Sequence, residues 1–138
     1  MTRAVLRGGL ALLGVLHLSW GVAATAAPRW FFDTFPGFGE RWTAAYPPYN
    51  EYLMRDVGAT FATLGVLLLA AAVLADRRVT FVVLLGVIVF SGLHLAFHAG
   101  HRGGLSGASW SLSLVSLAAG VVAPAALLLL ARRLPWPG

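Results

Sequence analysis

The chain contains no cysteine. That removes disulfides, thiolate metal sites, c-type haem attachment and any dithiol redox cycle from its chemistry. It contains no lysine either, so its ten basic residues are all arginine. They sit singly or in pairs at the ends of apolar runs and form no basic face, so nucleic acid is not an expected partner. Acidic residues number five. A ferritin-like di-iron site would need Glu-x-x-His motifs on paired helices, and neither that pattern nor a zinc-hydrolase His-Glu-x-x-His occurs. Charged residues make up 11% of the 138 and hydrophobic residues 59%, against about 45–50% apolar in a soluble domain. The scarcity of charge points to the lipid bilayer as solvent.

What is present organises itself into four apolar runs of spanning length, about 4–26, 51–75, 79–101 and 108–131. The first resembles a secretory signal, with VAATAA as an A-x-A-like cleavage site, but its apolar stretch is long for one and contains His17, Ser19 and Trp20. We read it as a retained helix. Short links between the later runs force antiparallel neighbours. Arg3, Arg7, Arg77, Arg78, Arg132 and Arg133 gather at one side against Arg29, Arg41 and Arg102 at the other, which predicts both termini in the cytoplasm. The expected fold is a single all-α domain over 1–138: an integral membrane four-helix bundle, antiparallel.

Residues 27–50 form the one long connection and hold Trp30, Phe31, Phe32, Phe35, Phe38, Trp42, Tyr46 and Tyr49. Aromatic rings at this density suit the bilayer interface. Pro36, Gly37 and Gly39 divide the loop, which predicts two short pieces, the second a helical turn around Glu40 to Ala45, with Asn50 capping the second span. Placed on the extracytoplasmic side, the loop is expected to act as a lid.

Beneath it, depth gathers the polar residues. At 1.5 Å per residue, His98 lies roughly 5 Å, Asp56 roughly 8 Å, His94 roughly 10 Å and His17 roughly 13 Å from the loop-side ends of their spans. Asp56, Thr60 and Thr63 recur at helical spacing, as do Ser91, His94, His98 and His101, and Ser109, Ser113 and Ser116. Ionisable groups in a span cost about 2.5 kcal/mol or more unless they face the bundle interior or water, so these stripes predict an interior site. Gly14 and Gly21 flank His17 on its own face, which lets a second helix approach closely or leaves room for a flat ligand.

Histidines at i and i+4 can chelate a metal, and imidazole is the usual haem ligand in a helical bundle. His17, His94 and His98 are the candidate metal ligands, and Asp56 joins them as a ligand-binding or supporting group. Trp20, Trp30, Trp42, Glu51 and Arg55 are candidate lid or pocket support. The bland alternatives are that His98 and His101 are interfacial, that His17 is interhelical glue, and that Asp56 pairs with Arg55 or an imidazole.

The segment PPYNEYLMRDVGA, the loop motif F-P-G-F-G, a histidine in the first span and LHLAFH in the third resemble small uncharacterised four-helix membrane proteins of actinobacteria. More loosely, the chain is similar to the DoxX-like superfamily. Glu51, Arg55, Asp56, Gly58, His94 and His98 occupy the motif positions, and the resemblance implies a four-helix membrane fold without a reaction. Three functions stay open: a pocket for a metal, haem or a lipid-soluble molecule such as a quinone; an accessory subunit of a larger membrane complex or a homo-oligomer; and an intramembrane enzyme pairing Asp56 with His94 as acid and base.

Overall fold

A computed structural model of the chain describes residues 2–133. They form helices α1 (Thr2–Ala26), α2 (Pro28–Thr34), α3 (Glu51–Leu74), α4 (Arg77–Gly100) and α5 (Gly107–Ala131), with a two-stranded ladder of β1 (Pro36–Gly37) and β2 (Glu40–Arg41) between α2 and α3. Four of these helices, α1, α3, α4 and α5, are long and apolar enough to cross a membrane. Their termini lie within two residues of the runs read from sequence. Polar caps precede α3, α4 and α5: the side chains of Asn50, Asp76 and Ser106 accept from the backbone N–H groups of Leu53, Val79 and Ser109.

The helices associate as two pairs. α1 and α3 pack along their lengths, α4 and α5 form the second pair, and fewer contacts join one pair to the other. Glycine explains the first pair. A Cβ placed on Gly21 would meet the Ala62 backbone, and one on Gly65 would lie 2.8 Å from Leu18 Cα and 2.9 Å from the Gly14 carbonyl oxygen. Of the two uses open to Gly14 and Gly21, the fold takes helix-to-helix contact. Leu6, Leu10, Leu68, Leu84 and Val87 fill the core toward the end that carries Thr2. Ala24, Phe31, Phe32 and Met54 form a smaller core toward the other end, here called the loop end.

The long connection departs from the expected two pieces with a second helical turn. Its first piece is α2, whose Phe31 and Phe32 are buried. Its second is a hairpin, in which Pro36 faces Arg41 and Gly37 faces Glu40. Three consecutive left-handed residues cause the reversal: Gly37 at φ +95°, Phe38 at φ +56° and Gly39 at φ +84°. A right-handed turn cannot begin from that run, so the chain doubles back and only a turn closed by Tyr46 N–H to the Thr43 carbonyl follows. Arg41 holds the hairpin to α2 by donating to the Asp33 carbonyl at 2.8 Å.

Candidate functional site

The residues expected to share one layer separate into three environments. On α4, Thr80, Leu84, Val87 and Ser91 are buried, and His94 and His98 continue that inward face by one and two turns. Both imidazoles are half-buried. Their ring centroids lie 4.6 Å apart. The His94 ring also stacks on Phe90, with centroids 5.8 Å apart and planes 11° from parallel. Among the described residues, His94 makes no hydrogen bond through either ring nitrogen, and Thr80 Oγ1 is the only fully buried side-chain polar atom without a partner. The His94 nitrogens are thus unpaired among the described residues.

His17 stands apart. Its Nδ1 donates to the Leu13 carbonyl at 2.8 Å, and its ring is buried against Trp20 and Phe61. Phe61 touches Phe90, and Phe90 touches His94, so two phenylalanine rings stand in the line of contacts between the imidazoles. The expected metal set of His17, His94 and His98 is not assembled. Among the described residues no group of three or more His, Asp or Glu side chains is placed to hold a metal ion. Equal depth did not bring these residues together, because the glycine contact between α1 and α3 turns His17 toward Phe61.

Asp56 is the clearest correction. It lies on the exposed side of α3 with Thr60 and Thr63, opposite the face that carries Met54, Gly58, Gly65 and Leu68. The threonine hydroxyls donate to their own helix, to the carbonyls of Asp56 and Ala59, and the Asp56 carboxylate has no partner among the described residues. The glycines fix the phase of α3, and the polar stripe falls half a turn away from them. Asp56 therefore forms no pair with His94 or with Arg55. Arg55 instead reaches Glu51, at 2.9 Å, and the Thr25 carbonyl, at 2.6 Å.

The support residues divide similarly. Trp20 touches His17, Phe61 and Phe35, linking the histidine of α1 to the loop. Trp42 packs edge-on against Phe35 and donates to Glu40 at 2.9 Å. Trp30 is 61% exposed, and its side chain makes no hydrogen bond or ring contact among the described residues. His101 is exposed and donates from Nδ1 to the Phe97 carbonyl, one of the last four of α4. On α5, Ser113 is buried and Ser116 exposed, each hydroxyl donating to its own helix.

Tyr46 makes a contact with the histidines that spacing alone does not reveal. Its hydroxyl donates to the His101 carbonyl at 2.6 Å and lies 2.9 Å from His98 Nδ1. Beside it, Gly104 N–H donates to the Ala45 carbonyl, and Trp110 Nε1 donates to the His98 carbonyl at 3.1 Å. The loop is thereby fastened to the α4–α5 pair next to the two histidines. Burial raises the Tyr46 phenol above its ordinary pKa. The signal in sequence was its place among the loop aromatics, but the contact spans 52 positions and no local pattern encodes it.

Two surface hollows of about 370 and 400 Å³ lie in the loop, the first lined by Arg41, Ala45, Gly104, Ser106 and Ser109 and the second by Asp33, Thr34 and Arg41 among others. Neither includes a histidine. No protein-family model, curated protein or solved structure matches the chain. The site must be interpreted from its own chemistry.

Proposed function

We propose that this protein binds a lipid-soluble small molecule, of the size and ring character of a quinone, at a site formed by His94 and His98 with Phe90, Phe61 and Tyr46. The observation that carries this reading is the state of His94. It is half-buried on a helix long and apolar enough to span a membrane, one turn beyond the buried Ser91, and neither ring nitrogen has a hydrogen bond among the described residues, a state that is costly in an apolar setting. A stacked phenylalanine on one side and a second imidazole on the other suit a flat molecule with a polar edge.

A metal ion would find only two imidazoles of this chain within reach, His94 and His98. Haem held between His17 and His94 would have to displace Phe61 and Phe90. Both fit the arrangement less well than an organic ligand. The DoxX-like resemblance enters this proposal only as support for a four-span fold. The arginine distribution supports both termini in the cytoplasm and the 27–50 loop on the extracytoplasmic side as a lid, and the resemblance to actinobacterial proteins supports a bacterial inner membrane.

A second reading rests on Asp56. A carboxylate on an exposed spanning-helix face, with Thr60 and Thr63 below it, supports assembly into a larger membrane complex or a homo-oligomer that covers that face.

The test is the composition of protein purified from its native membrane. Mass spectrometry of the extract is expected to find a lipid-soluble molecule in wild type that is lost from His94→Ala. Retention of the molecule in His94→Ala would overturn the proposal, and stoichiometric metal or a haem spectrum would replace it.

A further inference from the structure

Resting on that binding site, the geometry points to the group by which the ligand is held: a hydroxyl, as in an apolar phenol or hydroquinone, and not a carbonyl alone. A tyrosine hydroxyl has a single proton. At Tyr46 that proton is directed to the His101 carbonyl, 2.6 Å away, because a carbonyl oxygen can only accept. Toward His98 Nδ1, 2.9 Å away, the same oxygen must therefore act as acceptor. His98 Nδ1 then carries the hydrogen. A neutral imidazole has only one, so Nε2 is left with its lone pair.

The arrangement around Tyr46 keeps this assignment in place. The Ala45 carbonyl is tied to Gly104 N–H, so the residue before Tyr46 cannot drift from the α4–α5 connection. A Cβ on Gly103 would meet the Ala45 carbonyl oxygen at 2.7 Å and the Tyr46 ring at 2.8 Å, which shows how closely the two segments are seated. Trp110 holds the His98 carbonyl from the far side. His98 therefore offers any ligand an acceptor, while His94, with no partner on either nitrogen, offers a donor or an acceptor as needed.

One hydroxyl satisfies both rings, donating to His98 Nε2 and accepting from a His94 N–H. A ketone or quinone carbonyl accepts from His94 and leaves the His98 lone pair unmet in an apolar setting, a loss worth about tenfold in affinity. Tyr46 thus acts as a positioning residue that selects the ligand's hydrogen-bonding character through His98.

The test uses the full chain in lipid nanodiscs, without oxygen, and three probes: a decyl-substituted hydroquinone, the matching benzoquinone, and the hydroquinone dimethyl ether. Wild type is expected to bind the hydroquinone about tenfold more tightly than either of the others. Tyr46→Phe is expected to lose most of that preference, the hydroquinone-to-benzoquinone affinity ratio falling toward one, since His98 is then free to exchange tautomers. Nitrogen-15 spectra of wild-type imidazoles, which do not depend on the variant folding, are expected to show His98 protonated at Nδ1 only. Equal binding of hydroquinone and benzoquinone, or a protonated Nε2, would overturn the inference and leave the binding site standing. Failure of all three probes to bind wild type would overturn the site itself.

Discussion

Arg7 and Arg55 do the same work at opposite ends of the α1–α3 pair, each donating from one helix to the closing carbonyls of the other. Arg7 reaches the carbonyls of Ala72 and Val73 at 2.9 and 3.3 Å, and Arg55 reaches that of Thr25 at 2.6 Å. A helix leaves its last carbonyls unpaired and its C-terminus partially negative, so a guanidinium there meets both needs. Alanine at either position is expected to lower stability by about 0.5–1.5 kcal/mol, the smaller end applying because both side chains are largely exposed. The two losses should add, since the sites share no partner. Unfolding of both single variants and the double variant in detergent micelles checks this.

The glycines between those ends are more demanding. Gly21→Ala and Gly65→Ala each place a methyl group against the backbone of the facing helix, and are expected to cost about 1–3 kcal/mol by forcing the pair apart. Gly92, in the same bilayer environment, has nothing within 4 Å of an added Cβ. Gly92→Ala is therefore expected to be neutral or stabilising by up to about 1 kcal/mol, because only helix propensity changes. Equal thermal stability for all three variants would mean that α1 and α3 do not touch through glycine.

The spans, the Asn50 cap and the aromatic character of the loop were legible in sequence, since each depends on local composition. Asn50 announces a helix start because it directly precedes an apolar run. Facing direction was less legible. Asp56, Thr60 and Thr63 form a true helical stripe, but the phase of α3 was decided by Gly58 and Gly65, whose lack of side chains is a stronger packing signal than polarity. Depth was legible too, yet equal depth does not imply contact: His17 and His94 turn toward different sides of the Phe61–Phe90 contact. The Tyr46 contact with His98 could be reached only by folding the chain.

Tyr46 also gives the molecule a predictable response to alkali. Burial raises its folded-state pKa above the unfolded value near 10, so the neutral phenol stabilises the fold. The sign follows directly. This contribution is complete below about pH 10 and disappears as pH rises through the raised folded value, where the phenolate can no longer donate to the His101 carbonyl. Thermal stability measured from pH 8 to 11 is expected to fall in wild type by more than in Tyr46→Phe. Parallel curves would show that the hydroxyl does not fasten the loop.

Asp56 distinguishes a site within one chain from a surface between chains. In isolated protein its carboxylate touches no described residue, so Asp56→Asn is expected to change stability by less than about 0.5 kcal/mol and to leave probe binding at His94 and His98 unaltered. The amide keeps the shape and removes the charge. If binding at the histidines fell with the charge, Asp56 would belong to the site after all and α3 would have to turn by about half a helical rotation, against the contacts of Gly58 and Gly65. If the variant instead lost a larger assembly seen in the native membrane, with monomer stability and binding unchanged, the exposed stripe would be its docking face. Native mass spectrometry of wild type and Asp56→Asn, alongside the binding assay, separates these outcomes.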